Sequence, residues 1–187
     1  MKKKSIALVL SLALVVVCII GGTLAWLTAN TDPVTNTFTT SDINITLEES
    51  KDLNLKMIPG WTITKDPKVT VTAGSEKCYL FVKLEKSSNF DSFMTYEMAT
   101  DWTQLTGITG VTGVYYRVVD SSTDNQVFDV LKDNQVKVLD SVTKAQMNQV
   151  TTNPTLTVTA YASQYMKNNT ESFTAAEAWA NITNPTT

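Results

Sequence analysis

The sequence of 187 residues contains no histidine. Without an imidazole, Ser-His-Asp and Cys-His nucleophilic catalysis, HExxH zinc chemistry and histidine-based pH switching are all excluded. Charge is scarce as well, at 18% of residues against 43% apolar, and there are only two cysteines. A Gly-rich phosphate loop, a CxxC pair and an EF-hand loop are absent, and nothing repeats at a solenoid period. What the chain has in excess is threonine, with 30 residues. A β-branched side chain fits a pleated surface, so this excess favours strands. The length predicts a single domain able to bury its own core.

The amino terminus is of a different character. Lys2, Lys3 and Lys4 precede an apolar run over residues 6–20, and no charge occurs between Ser5 and Thr31. A basic start, an apolar stretch and a small-residue exit describe a secretory signal peptide. The exit is Gly21-Gly22-Thr23-Leu24-Ala25, with Thr23 and Ala25 at the small −3 and −1 positions of a signal-peptidase site and Trp26 as the first mature residue. The same stretch is also long enough for an uncleaved membrane anchor, since about 20 residues span a bilayer. Cys18 lies inside the apolar run behind Val17, where a lipoprotein signal needs a small residue, so it reads as part of the signal helix.

Loss of the three lysines leaves 12 basic against 18 acidic residues, a net charge of −6. With no basic cluster remaining, binding to nucleic acid or to an anionic membrane surface is not expected. Cys78 is then the single thiol, so no internal disulfide can form. It reads as a small buried hydrophobe in a strand, with pairing between chains as the alternative for a secreted protein.

Alternation organises the rest. Residues 42–47 alternate with Ile43, Ile45 and Leu47 facing inward, and Pro59-Gly60 marks a turn. Residues 61–64 and 69–72 read as short strands. In 77–85, Cys78, Leu80, Val82 and Leu84 share one face and Tyr79, Phe81, Lys83 and Glu85 the other. Further strands are expected at 94–98, 102–105, 114–119, 127–128, 136–138 and 156–162. A short helix at 143–150 is capped by Thr143, and Ser172 or Thr174 caps a last helical turn over 175–181. About nine short strands at this spacing predict an antiparallel sandwich or barrel. The expected parts are a signal peptide at 1–25, a loose segment at 26–40, a β domain at 41–182 and a tail at 183–187.

Few residues suggest chemistry. Asp120, Asp124 and Asn125 have calcium-ligand character, but Asp and Asn also favour turns on their own account. Glu48 and Glu49 are adjacent, so in a strand they point to opposite faces and form no acid/base pair. No catalytic residue, metal ligand or cofactor site is expected. Trp61, Trp102 and Tyr115 are candidates for a glycan-stacking platform, with core or cross-strand packing as the plainer reading.

A family likeness runs through the chain. Gly21-Gly22-Thr23-Leu24-Ala25-Trp26-Leu27-Thr28, then Thr37-Phe38-Thr39 and Asp42-Ile43-Asn44-Ile45-Thr46-Leu47, resemble the start of TasA/camelysin proteins of Gram-positive bacteria. The likeness continues through Ile58-Pro59-Gly60, Lys65-Asp66-Pro67-Lys68-Val69, residues 74–83, Gly113-Val114-Tyr115-Tyr116-Arg117, residues 156–162 and Glu177-Ala178-Trp179. The resemblance implies export through a SipW-like signal peptidase, an all-β jelly-roll-like sandwich and assembly into extracellular biofilm-matrix fibres. It further implies that a mature amino-terminal segment adds as a strand to the next subunit, a case of β-augmentation. The donor falls within residues 26–38, with Trp26, Leu27, Val34 and Phe38 as its apolar side chains. Pro33 is awkward there, because proline cannot donate to a ladder. Camelysin-like members are also described as metalloproteases, and the lack of histidine removes a histidine-based zinc site. The expected partners are the signal peptidase and further copies or related matrix subunits, with membrane contact only through the signal segment. The alternative is a surface adhesin or glycan-binding module.

Overall fold

The computed structural model describes residues 42–50 and 56–183. The signal peptide, its cleavage site at Thr23, Ala25 and Trp26, and the donor segment with Leu27, Val34 and Phe38 lie outside the described residues. Among the described residues ten strands form three antiparallel sheets. The first holds β1 (Ile45–Glu48), β3 (Lys68–Val71) and β8 (Gln126–Asp129), in the order β1-β3-β8. The second, ordered β2-β9-β5, holds β2 (Thr62–Thr64), β9 (Gln135–Val138) and β5 (Met94–Thr95). The third runs β10-β4-β7-β6, built from β10 (Leu156–Gln164), β4 (Cys78–Lys86), β7 (Val114–Val119) and β6 (Thr103–Gln104). Among the described residues there are three short helices: α1 (Phe90–Phe93), α2 (Lys144–Asn148) and α3 (Ala175–Thr183).

Strand β4 is central because one of its faces is apolar throughout and the other at Tyr79 and Phe81. On one face Cys78, Leu80, Val82 and Leu84 join Ile63 of β2, Val69 and Val71 of β3, and Val136 and Val138 of β9 in the main core. On the other, Tyr79 and Phe81 pack with Ala178 and Trp179 of α3. The division of this strand into two faces is the one its alternation predicts. β10 and β7 flank it in continuous register, with Ala162 opposite Leu80 and Leu80 opposite Arg117.

The helices α2 and α3 begin where their caps dictate. Thr143 Oγ1 accepts the Gln146 N–H while the Gln146 side chain accepts the Thr143 N–H. Thr174, rather than Ser172, does the same with Glu177. These reciprocal bonds satisfy donors that a helix start leaves unpaired. Helix α3 runs to Thr183, two residues beyond the expected turn.

Two local expectations change. Helix α1 occupies the approach to the strand expected at 94–98, which shrinks to Met94–Thr95 and an isolated bridge between Met98 and Leu131. One buried side chain, Phe90 at 1% exposed, anchors a turn too short to show any helical period. Leu47 is not inward but 37% exposed, because β1 is the edge of its sheet. In the run expected to be a turn, Asp120 pairs with Lys77 at 2.7 Å, and Asn125 Oδ1 accepts the Ala73 N–H at 2.8 Å.

Cys78 is free and fully buried in the core face of β4, and burial pushes its thiol pKa up to about 11. Since the thiolate is the reactive form, an alkylating reagent at pH 8 should leave the folded mature protein, residues 26–187, unlabelled and modify Cys78 fully in denaturant. Mass spectrometry before and after unfolding reads this directly. Rapid labelling of the folded chain would contradict the burial.

Candidate functional site

The candidate site lies at the start of β10, where two cavities meet at Leu156. This nine-residue strand pairs with β4 on one side, and among the described residues no strand pairs with its other side. A row of unpaired backbone donors and acceptors is a ready template for another chain. Its side chains suit that role: Leu156, Val158, Ala160 and Ala162 pack partly on the main core, while Tyr161 packs on the α3 side.

Two cavities border the strand. One of about 520 Å³ is lined by Ile63, Phe90, Met94, Val136, Pro154 and Leu156. The other, of about 360 Å³, is lined by Leu47, Pro67, Leu156 and Val158 together with Glu48 and Glu49. Leu156 and Lys65 line both. The exposed Leu47 is therefore a wall of the site.

Lys65 is positioned by the turn between β2 and β3, where its N–H donates to the Asn134 carbonyl at 2.9 Å. Its ammonium lies 2.9 and 3.1 Å from the two carboxylate oxygens of Glu49. The side chain is 15% exposed, and that of Glu49 36%. Beside this pair, Ser50 donates to Asp66 through its hydroxyl at 2.6 Å and its N–H at 3.1 Å. Those bonds hold the Asp66 carboxyl below its usual pKa, with Lys68 adding a smaller pull. The two contacts tie the exit of β1 to the β2–β3 turn. Lys65 is common to both cavities, with Lys56 also in the wall of the first and Glu48 and Glu49 in that of the second.

The sequence-derived aromatic candidates are not brought together. Trp61 is 62% exposed just before β2 in the second sheet. Trp102 is 9% exposed in the core, its indole N–H donating to the Asp129 carbonyl at 2.8 Å. Tyr115 lies on β7, where it lines an open hollow of about 690 Å³ with Tyr96, Gln104 and Val111. Burial, with a smaller contribution from Tyr115, pushes the Tyr96 hydroxyl up to about 12. Trp102 thus has a packing role, together with a residue the sequence did not single out. Arg117 places its guanidinium 4.1 Å from the Phe128 ring centroid and 5.5 Å from that of Trp102. Burial lowers its pKa and Asp101 opposes that shift, but a guanidinium stays charged in this environment. The stack ties β7 in the third sheet to β8 in the first.

Among the described residues, no group of three acidic or cysteine side chains is placed to hold a metal ion. No family model matches the sequence, and neither a curated protein nor a solved structure matches the chain.

Proposed function

We infer that this chain is a secreted structural protein that forms or decorates extracellular biofilm-matrix fibres, and is not an enzyme. In this reading its sheets make a jelly-roll-like sandwich, a SipW-like peptidase releases the mature chain at Trp26, and the segment 26–38 of one copy adds as a strand to the next. The observation that carries the reading is the edge of β10 that no strand pairs with among the described residues, beside a mainly apolar cavity and a smaller one of mixed character. Main-chain bonds along such an edge supply affinity, and pockets for alternate side chains supply register. The signal-like amino terminus, the lack of histidine and the likeness to TasA/camelysin proteins point the same way.

Electron microscopy of the mature protein, with and without residues 26–38, tests the proposal. The intact chain should form fibres and the truncated chain should stay soluble and monomeric. Intact mature protein that remains monomeric under every condition tried would overturn it.

A further inference from the structure

We propose that two copies of the chain meet about a two-fold axis, the exposed Trp61 of each filling the larger cavity of the other. The contact uses no part of the strand-addition reading and is tested apart from it. Trp61 is 62% exposed, more than any other large apolar side chain among the described residues, and Ile58 near it is exposed too. Both stand on the turn made by Pro59 and Gly60. Main-chain bonds hold that turn at both ends. The Trp61 N–H donates to the Ile58 carbonyl at 3.0 Å, and the Trp61 carbonyl accepts the Val138 N–H of β9 at 2.8 Å. Gly60, at a φ of +74°, lies so near Asp140 that an added Cβ would meet its Oδ1 at 2.6 Å. A large aromatic side chain on backbone already fixed loses little entropy on binding, and tryptophan is prominent among interface anchors.

The recess lies next to the projection. Met57 and Ile63, which flank the turn, line the cavity of about 520 Å³ with Phe90, Met94, Val136 and Leu156, whereas Trp61 is not among its walls. Lys56 and Lys65 also stand in the wall, the second held by Glu49. Of the large apolar groups an indole suits such a wall best, because its face attracts a cation. A surface that carries a projection beside a matching recess is complementary to itself, which is the isologous arrangement. Each pairing then buries two tryptophans at once. Trp61 and Ile58 bring on the order of 300 Å² per copy, well under the roughly 800 Å² of a stable interface. The pair therefore forms near millimolar protein, and at the micromolar level of a fibre assay the domain is monomeric.

The mature chain without residues 26–38 serves for the test, since residues 40–187 form a compact unit by themselves. Its mass by sedimentation equilibrium should rise by about 1.5-fold between roughly 0.05 and 2 mM protein. Trp61→Ala and Thr155→Phe should each hold it at the monomer value. Thr155 is exposed and lines the cavity, so a phenylalanine there fills the recess of its own copy and leaves Trp61 in place. Thermal melting of both variants checks that the domain remains folded. With Trp26 absent and Trp102 and Trp179 buried, quenching of fluorescence by acrylamide reads Trp61. It should fall about twofold over the same concentration range in the unmodified domain and stay constant in Thr155→Phe. A constant monomer mass in the unmodified domain overturns the contact, as does association that survives Trp61→Ala. Association lost in Trp61→Ala but kept in Thr155→Phe seats Trp61 elsewhere and overturns it equally. Fibre formation by the intact chain is decided separately, so neither result substitutes for the other.

Discussion

Phe81→Ala should destabilise the domain by about 3–5 kcal/mol, the usual cost of truncating a fully buried phenylalanine. Phe81 is 0% exposed at the centre of β4, and its ring centroid lies 5.3 Å from Trp179, 6.0 Å from Tyr79 and 6.2 Å from Tyr116. Across the sheet it sits opposite Tyr161 on β10 and Tyr116 on β7. Removing it withdraws the floor on which α3 rests, so the aromatic near-ultraviolet signal should fall along with the denaturation midpoint. Val127→Ala is the control, because Val127 is 58% exposed on β8; its effect should stay within about 0.5 kcal/mol. Urea titration of both variants reads the difference. A loss below 1 kcal/mol for Phe81→Ala would mean that the α3 layer unfolds separately from the rest.

The contrast between those two positions shows where alternation informs and where it does not. β4 was legible because one face is apolar throughout and the other at Tyr79 and Phe81, and each finds a separate partner: the core sheets for Leu80 and Val82, α3 for Tyr79 and Phe81. The caps of α2 and α3 were legible because a threonine and the residue three positions later carry their own reason. Leu47 was misplaced because period two reports which face a side chain takes, not whether anything covers that face. α1 left no trace, since four residues are shorter than any helical period can reveal. The site itself could not be read, because Ile63, Phe90, Val136 and Leu156 come from distant parts of the chain and meet only in the fold. Arg117 did leave a signal. It is a cation at the same parity as Val119 in an otherwise apolar and aromatic strand, and that position faces the core, where Trp102 and Phe128 receive it. For Trp102, the plainer of the two readings, core packing, is the one the structure shows. Its indole N–H finds the Asp129 carbonyl, the usual need of a buried tryptophan.

Gly113→Ala should cost about 3 kcal/mol, from left-handed backbone strain of roughly 1–2 kcal/mol and the loss of about one backbone hydrogen bond. Gly113 has a φ of +68°, and a Cβ there would overlap the Leu84 carbonyl oxygen of β4. That overlap cannot be relieved by a side chain moving aside, because the obstacle is main chain. The Leu84 N–H donates to the Gly113 carbonyl at 2.8 Å, so the two backbones are held together at the point where β7 begins. Making room means drawing the start of β7 off β4, beside the pairing of Lys83 with Val114 and the bond from the Leu105 N–H to the Val114 carbonyl. Gly110 supplies the comparison, with a similar φ of +79° and no atom within 4 Å of an added Cβ. Gly110→Ala should therefore show the strain alone, about 1–2 kcal/mol. Equal losses for the two variants in the same titration would show that the approach of β7 to β4 is not tight. A larger loss at Gly113, with faster amide exchange at Leu84 and Leu105, is the result expected if a single missing Cβ sets the spacing of the sheet that carries β10.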